Sequence, residues 1–247
     1  MKKEDIIINT IVFKHYFDKG KKQVDILRTV SELGLKKIEI RRELLTDIRT
    51  ELQDIRHQAD KLHLELFYSI NEDLFVDGLI NSQLNVFYEE SNILKVAFIK
   101  MNTGSAKNIS ETTWNTLKET IKEFKPIKVE NNQDTQNARI LNCLEIMKEC
   151  KDRAIPIDFV FDTANWSFVD EETEKAITSL EAYTDYLHCK NYKKLEKELF
   201  LTTLFEGEID IISLIRRFSK VRYLALEYPC TEKELLKDID SLLQQMN

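Results

Sequence analysis

Residues 157–166 read IDFVFDTANW, an apolar and aromatic run that stops at Asp162, with Asn165 three positions later. Such a run reads as a strand. Its side chains alternate, so Ile157, Phe159 and Phe161 share one face and Asp158, Val160 and Asp162 the other. A hydrophobic run that ends in a carboxylate poses a choice: Asp162 is a metal ligand at the mouth of a barrel, a helix cap, or a plain strand terminus.

The pattern recurs along the chain. LKKIEIRRE contains Glu39, LHLELFYSI Tyr68, ILKVAFIKMNTG Met101, PIKVENNQ Glu130, DYLHCKNY His188 and RYLALEYPC Glu227. With Asp162 included, these residues are spaced by 29, 33, 29, 32, 26 and 39 positions. The mean is about 31, the length of one strand plus one helix. With IIINTIV at the start, 247 residues hold eight such strands.

Helical patterns fill the gaps. Residues 22–33 carry Val24, Ile26, Leu27, Val30 and Leu33 at helical spacing, with Gly34 as a stop. SETTWNTLKETIKEF opens on Ser110 as N-cap and closes before Pro126, with Trp114 expected in the core. DTQNARILNCLEIMKEC is expected to open on Asp134, and TEKELLKDIDSLLQQM starts with a capping box of Thr231 and Glu234. Strand and helix alternate throughout, which predicts parallel strands with crossover helices. Eight units favour closure, so the expected fold is α/β, a (β/α)8 TIM barrel. No linker rich in Pro, Gly or Ser divides the chain, so residues 1–247 are read as a single domain.

Composition narrows the function. The chain is 43% hydrophobic and 32% charged, enough for a sizeable core, and its net charge of −7 argues against a nucleic-acid partner. No stretch approaches the roughly 18 apolar residues of a membrane span. The four cysteines lack CxxC spacing, and Cys143 and Cys150 would stand about 10.5 Å apart along a helix, too far for a disulfide. Reduced thiols and a cytoplasmic location are expected.

If the bulky aliphatic face of each strand packs on helices, the other face points into the barrel and its last residue reaches the rim where barrel active sites lie. Glu130, Asp162, His188 and Glu227 then converge from the fifth to the eighth strand. Carboxylates so close repel one another unless a cation compensates. With one imidazole they make a mixed oxygen and nitrogen set suited to Mn²⁺, Mg²⁺, Co²⁺ or Zn²⁺. Taken singly, each reads equally well as an ordinary strand-end polar residue.

At these residues the chain resembles the xylose isomerase-like TIM-barrel superfamily of sugar isomerases, epimerases and family 2 apurinic endonucleases. VSELGLKKIEIR over residues 30–41 resembles its helix, glycine and strand ending Glu-x-Arg. VENN carries the fifth-strand glutamate, FDTANW resembles an Asp-Thr-x-His segment, and LHCKNYK resembles His-x-Lys-Asp. EGEIDIISLIRRFSKVRYLALEYP resembles the closing segment that reaches the last glutamate. The resemblance implies a divalent metal on Glu130, Asp162, His188 and Glu227, with Glu130 and Glu227 also acting as acid and base. The reaction implied is isomerisation or epimerisation of a small sugar or related hydroxy-carbonyl compound through a metal-stabilised enediolate, a role in carbohydrate metabolism. Many members form dimers or tetramers, so a homo-oligomer is also implied.

Two positions depart from that pattern: Asn165 stands where many members have histidine, and Asn191 where many have aspartate. Both are expected to touch substrate hydroxyls, as are Lys190 and Arg41 by inward parity, Glu39 beside Arg41, and Trp166 as an apolar wall with Phe168. The alternative function is a barrel that binds metal or a sugar-like ligand without turnover. The endonuclease branch is disfavoured, because it uses several histidines and this chain has only His15, His57, His63 and His188. The last loop, YPCTEK, lacks a glycine for phosphate; only Gly207, after the seventh strand, offers one beside several lysines.

Overall fold

A computed structural model describes residues 1–135 and 138–246. The strands in chain order are β1 (Ile6–Asn9), β2 (Lys37–Arg41), β3 (Glu65–Val76), β4 (Leu79–Ile80), β5 (Ile99–Gly104), β6 (Ile127–Glu130), β7 (Ile157–Asp162), β8 (Thr184–Cys189), β9 (Asn191–Leu195), β10 (Glu198–Thr202) and β11 (Tyr223–Leu226). Among the described residues, β1, β2, β3, β5, β6, β7, β8 and β11 pair in parallel, and the β2–β3 pairing closes them into an eight-stranded barrel. Helices lie between successive barrel strands, as the period of the sequence predicts. Among the described residues, no helix is long and apolar enough to cross a membrane.

Local chemistry sets the helix ends. Ser110 accepts a hydrogen bond from the Thr113 amide at 3.1 Å, and Thr231 and Glu234 form the expected reciprocal box. One boundary differs: the helix expected from Asp134 begins at Ile140. Asp134 instead lines the mouth of the barrel. Gln136 and Asn137, inside that expected helix, lie outside the described residues.

Alternation along the strands sorts the core. Ile38, Ile40, Phe159, Phe161, Leu224 and Leu226 pack outward in the main core, whereas Ile7, Phe67, Phe98, Val160, Tyr186 and Ala225 form a separate cluster inside the barrel. Each such fully buried aliphatic or aromatic side chain contributes about 1.5–3 kcal/mol. The aromatic layer separates two charged ends. Below it the Lys128 ammonium lies 2.6 Å from Asp185 and 3.1 Å from Asp158, over the rings of Phe98 and Tyr223. Above it lies the carboxyl-end cluster. All four cysteines are buried, and none forms a disulfide.

Among the described residues, two hairpins rise at the mouth. β3 runs on to Val76 and turns through Asp77 and Gly78, both at positive φ, into β4. Asp-Gly between apolar runs is a hairpin signal. The second, β9–β10, follows the seventh barrel strand directly, and its Leu201 walls the mouth. Gly104 joins the first hairpin to β5: its φ is +73°, and a Cβ there would collide with the Phe75 backbone. Gly104→Ala is expected to cost at least about 2 kcal/mol and to lower the melting temperature by roughly 4–8 °C, read by calorimetry; an unchanged melting temperature contradicts this packing.

Candidate functional site

Glu130, Asp162, His188 and Glu227 stand at or just past the ends of β6, β7, β8 and β11, four neighbouring strands of the barrel. They come together: one ligand atom from each lies within 4.8 Å of the others, and all four are buried. The centre is His188. Its Nδ1 lies 2.7 Å from Glu130 Oε1 and 2.6 Å from Glu227 Oε2. Its Nε2 lies 3.2 Å from Glu39 Oε1 and 3.3 Å from Oε2. Glu39 is itself fixed by the Asn9 amide at 2.6 Å and the Tyr186 hydroxyl at 2.7 Å.

Each rim carboxylate also meets a cation. Lys100 donates to Glu130, Arg41 donates to Glu227, and Lys190 Nζ lies 2.7 Å from Asp162 Oδ2. Two buried oxygens, Glu130 Oε1 and Asp162 Oδ2, nonetheless lack a partner in hydrogen-bonding geometry. Burial pushes the Glu130 carboxyl up, but His188 and Lys100 outweigh it and hold it near 2. Glu227 is likewise held well below the carboxylate range against its burial, by Lys190, His188 and Arg41. For Asp162 burial prevails over Lys190 and lifts the group to about 6. Burial disfavours the His188 imidazolium, yet Glu130, Glu39 and Glu227 together raise its pKa well above the ordinary value.

Asp162 holds the start of the short helix with one oxygen and turns the other to the cluster. Its Oδ1 accepts from the Ala164 and Asn165 amides at 2.9 and 2.8 Å, at the start of the helix Asn165–Phe168, while Oδ2 faces the cluster. The next residue, Thr163, donates to the Lys190 carbonyl at 2.6 Å and ties β7 to the segment after β8.

The cluster opens into a cavity of about 530 Å³, whose lining includes Arg41, Lys100, Glu130, Asn165, Lys190 and Glu227. Of the residues expected to touch a substrate, Lys190, Asn165 and Arg41 face this cavity. Three others are placed elsewhere. Glu39 lies beneath His188, and Trp166 packs outside the barrel against Phe159 and Phe161. Asn191 is fully buried and uses its whole amide on backbone. Its Nδ2 donates to the Leu204 and Ile209 carbonyls at 2.8 and 2.9 Å, and its Oδ1 accepts from the Tyr192 and Ile209 amides. Gly207 packs on this amide so closely that a Cβ would collide with it. That glycine serves packing.

Lys100 escaped the sequence reading. Taking Met101 as the marker of its strand drew attention to the outward face, since Lys100 and Asn102 alternate with it and point inward. Asn71, Asn102, Asn132 and Gln133 add neutral amides around the same cavity. Asn191→Asp would turn two donors into acceptors facing carbonyl oxygens. It is expected to destabilise the chain by about 2–4 kcal/mol, read as a lower denaturation midpoint; equal stability contradicts the assigned amide orientation.

A comparison with protein families finds no match, and neither does one with curated proteins. Solved structures do match in shape. The probable 3-DHS dehydratase AsbF involved in petrobactin synthesis from Bacillus anthracis is 14% identical, with a TM-score of 0.66 over 98% of each chain. A D-tagatose 3-epimerase-like protein is 12% identical, with a TM-score of 0.67 over 98% of this chain and 97% of that one. The IolI protein, solved with a bound zinc atom, is 14% identical, with a TM-score of 0.63 over 98% and 96%. These likenesses show the fold, a closed (β/α)8 barrel that the chain shares with those structures over nearly its whole length.

Proposed function

We propose that the protein is a divalent-metal-dependent isomerase or epimerase of a small sugar or related hydroxy-carbonyl compound. One observation carries this reading: four donor atoms, from buried side chains on four neighbouring barrel strands, lie within 4.8 Å of one another. The donor chemistry fits an ion. Once His188 gives up its second proton, Nε2–H directed to Glu39 would leave the Nδ1 lone pair facing the space between Glu130 and Glu227, where an ion would take the place of that proton. A carboxylate on the far nitrogen is the usual support of a metal-ligating histidine. Glu130, Asp162, His188 and Glu227 would hold the ion, and three oxygens with one nitrogen suit Mn²⁺, Mg²⁺, Co²⁺ or Zn²⁺. When bound, it would supply Lewis acidity to a carbonyl and an adjacent hydroxyl.

The chain's own residues do the rest. Glu130 and Glu227 occupy the two ends of the four-strand arc and both face the cavity. His188 and Lys100 keep Glu130 ionised, and Lys190, His188 and Arg41 do so for Glu227, as proton acceptors must be. One carboxylate takes the proton from carbon and the other returns it. Asn165 faces the cavity, its amide already engaged by the Asn131 carbonyl at 2.7 Å and Gln133 at 3.0 Å. It can orient a hydroxyl but not exchange protons near neutrality.

A second reading has its own support. Glu130, Asp162 and Glu227 each already meet a cationic side chain, which is how a barrel that binds a sugar-like ligand without turnover could keep its rim neutral.

Thermal stability with each ion separates the two. An ion at about 100 times its dissociation constant adds about 2.7 kcal/mol, a rise of roughly 5–10 °C, and His188→Ala should lose it. If no ion at millimolar concentration shifts the wild type, the second reading stands. Uptake must displace the proton that three carboxylates hold on His188, and Asp162, lifted to about 6, must be ionised. Affinity should therefore fall as pH drops through 6; a flat profile from pH 5 to 8 contradicts these ligands. Exchange of a substrate C–H with deuterated solvent should drop by about 10²–10⁴-fold in Glu130→Gln or Glu227→Gln. Exchange at the wild-type rate in both variants would exclude them as acid and base.

A further inference from the structure

We infer that Asn131 and Thr163 are positioning residues, which set the spacing of the metal ligands Glu130, Asp162 and His188. The inference rests on the metal reading above and goes beyond it to residues that would touch no ion. Asn131 follows Glu130 and Thr163 follows Asp162, and both are fully buried. The Asn131 amide grips both backbone groups of Asp162: its Oδ1 accepts from the N–H at 2.9 Å, and its Nδ2 donates to the carbonyl at 3.3 Å. The Thr163 hydroxyl grips Lys190 in the same way, accepting from the N–H at 3.0 Å and donating to the carbonyl at 2.6 Å. The Thr163 N–H also donates to the His188 carbonyl at 3.0 Å. A third grip of this kind lies at β2, where the buried Gln23 amide engages both backbone groups of Arg41 at 2.7 and 2.9 Å. Each gripped residue, Arg41, Asp162 or Lys190, carries a side chain of the rim cluster.

These grips begin where the sheet stops. The last paired residues of β6 and β7 are Glu130 and Val160, so Asp162 stands two residues beyond their ladder. Those of β7 and β8 are Asp162 and His188, and Thr163 is the next residue. A side-chain amide carries a donor and an acceptor, as a peptide group does, so Asn131 continues the ladder where no backbone partner remains. With its backbone held by Asn131 and its Oδ1 by the Ala164 and Asn165 amides, Asp162 has Oδ2 left for the cluster. Zn²⁺ and Mg²⁺ hold their oxygen ligands at about 2.0–2.2 Å. A strand end that drifts carries its donor out of that reach, and groups standing behind metal ligands typically change affinity by about 10–100-fold.

The test titrates Mn²⁺ into the wild type, Asn131→Leu, Thr163→Val and Thr163→Ser, with electron paramagnetic resonance reading free and bound ion. The urea midpoint of each ion-free protein is measured beside it. Asn131→Leu and Thr163→Val should each weaken Mn²⁺ binding by about 10–100-fold, and Thr163→Ser, which keeps the hydroxyl, should restore it. Leu52→Ala, in the core outside the barrel, is the control: it should lower the urea midpoint and leave the affinity unchanged. The pair at Thr163 decides the question even if Asn131→Leu fails to fold. Wild-type affinity in Asn131→Leu or in Thr163→Val removes that residue from the role, and in both it overturns the inference with the metal reading intact. An equal loss in Leu52→Ala means that affinity only follows overall stability, which also overturns it. So does a loss in Thr163→Ser as large as that in Thr163→Val. Absence of Mn²⁺ binding by the wild type sinks the metal reading itself, and the positioning role with it.

Discussion

The imidazole of His188 is the interaction on which the rest of the rim depends. It has no solvent exposure and is held between Glu39 below and Glu130 and Glu227 above. A buried histidine in so acidic a setting is stable only as a cation or beside one. Glu39 decides which nitrogen faces the rim, and Asn9 and Tyr186 in turn decide where Glu39 stands. Residues from β1, β2 and β8 thus orient a group whose working face points to β6 and β11. That cross-barrel dependence ties the geometry of the cluster to closure of the β2–β3 seam.

Charge is arranged at both ends of the barrel, and the two ends differ in kind. At the amino end, Lys128 is held by Asp185 and Asp158 under aromatic rings, a closed and satisfied arrangement of the sort that holds a barrel together. At the carboxyl end, the pairs of Lys100, Arg41 and Lys190 with Glu130, Glu227 and Asp162 open into a cavity. Buried ion pairs contribute little net stability, because desolvation offsets their attraction. Such a buried charged set gives less stability than a well-packed apolar one. Its presence at the end of the barrel that carries catalytic residues is the physical ground for reading it as a site.

The two asparagines that depart from the superfamily's pattern have different explanations. Asn191 donates twice to backbone carbonyls, which a carboxylate cannot do, and so it fastens the loop over 203–210 to the second hairpin. Asn165 keeps a place on the cavity wall while its amide nitrogen holds the Asn131 carbonyl. The first substitution belongs to the architecture of the loop. The second alters what the cavity can offer a ligand.

The strand period and side-chain parity were legible in the sequence because both are local. A strand shows its two faces at every second residue, and a unit of strand plus helix repeats at nearly constant length. That was enough to predict the barrel, the inward direction of Glu130, Asp162, His188 and Glu227, and the capping of helices at Ser110 and Thr231. Partners across the barrel were not legible. The sequence places Lys100 one position from Met101 but does not say that its ammonium meets Glu130, nor that Glu39 lies under His188 and away from the cavity. Those contacts depend on which strands are neighbours and how far each is staggered, quantities fixed only when the sheet closes. Trp166 shows the same limit. An aromatic residue just past a strand can wall a cavity or pack behind it, and the choice falls to the turn of a four-residue helix whose first amides are held by Asp162 itself.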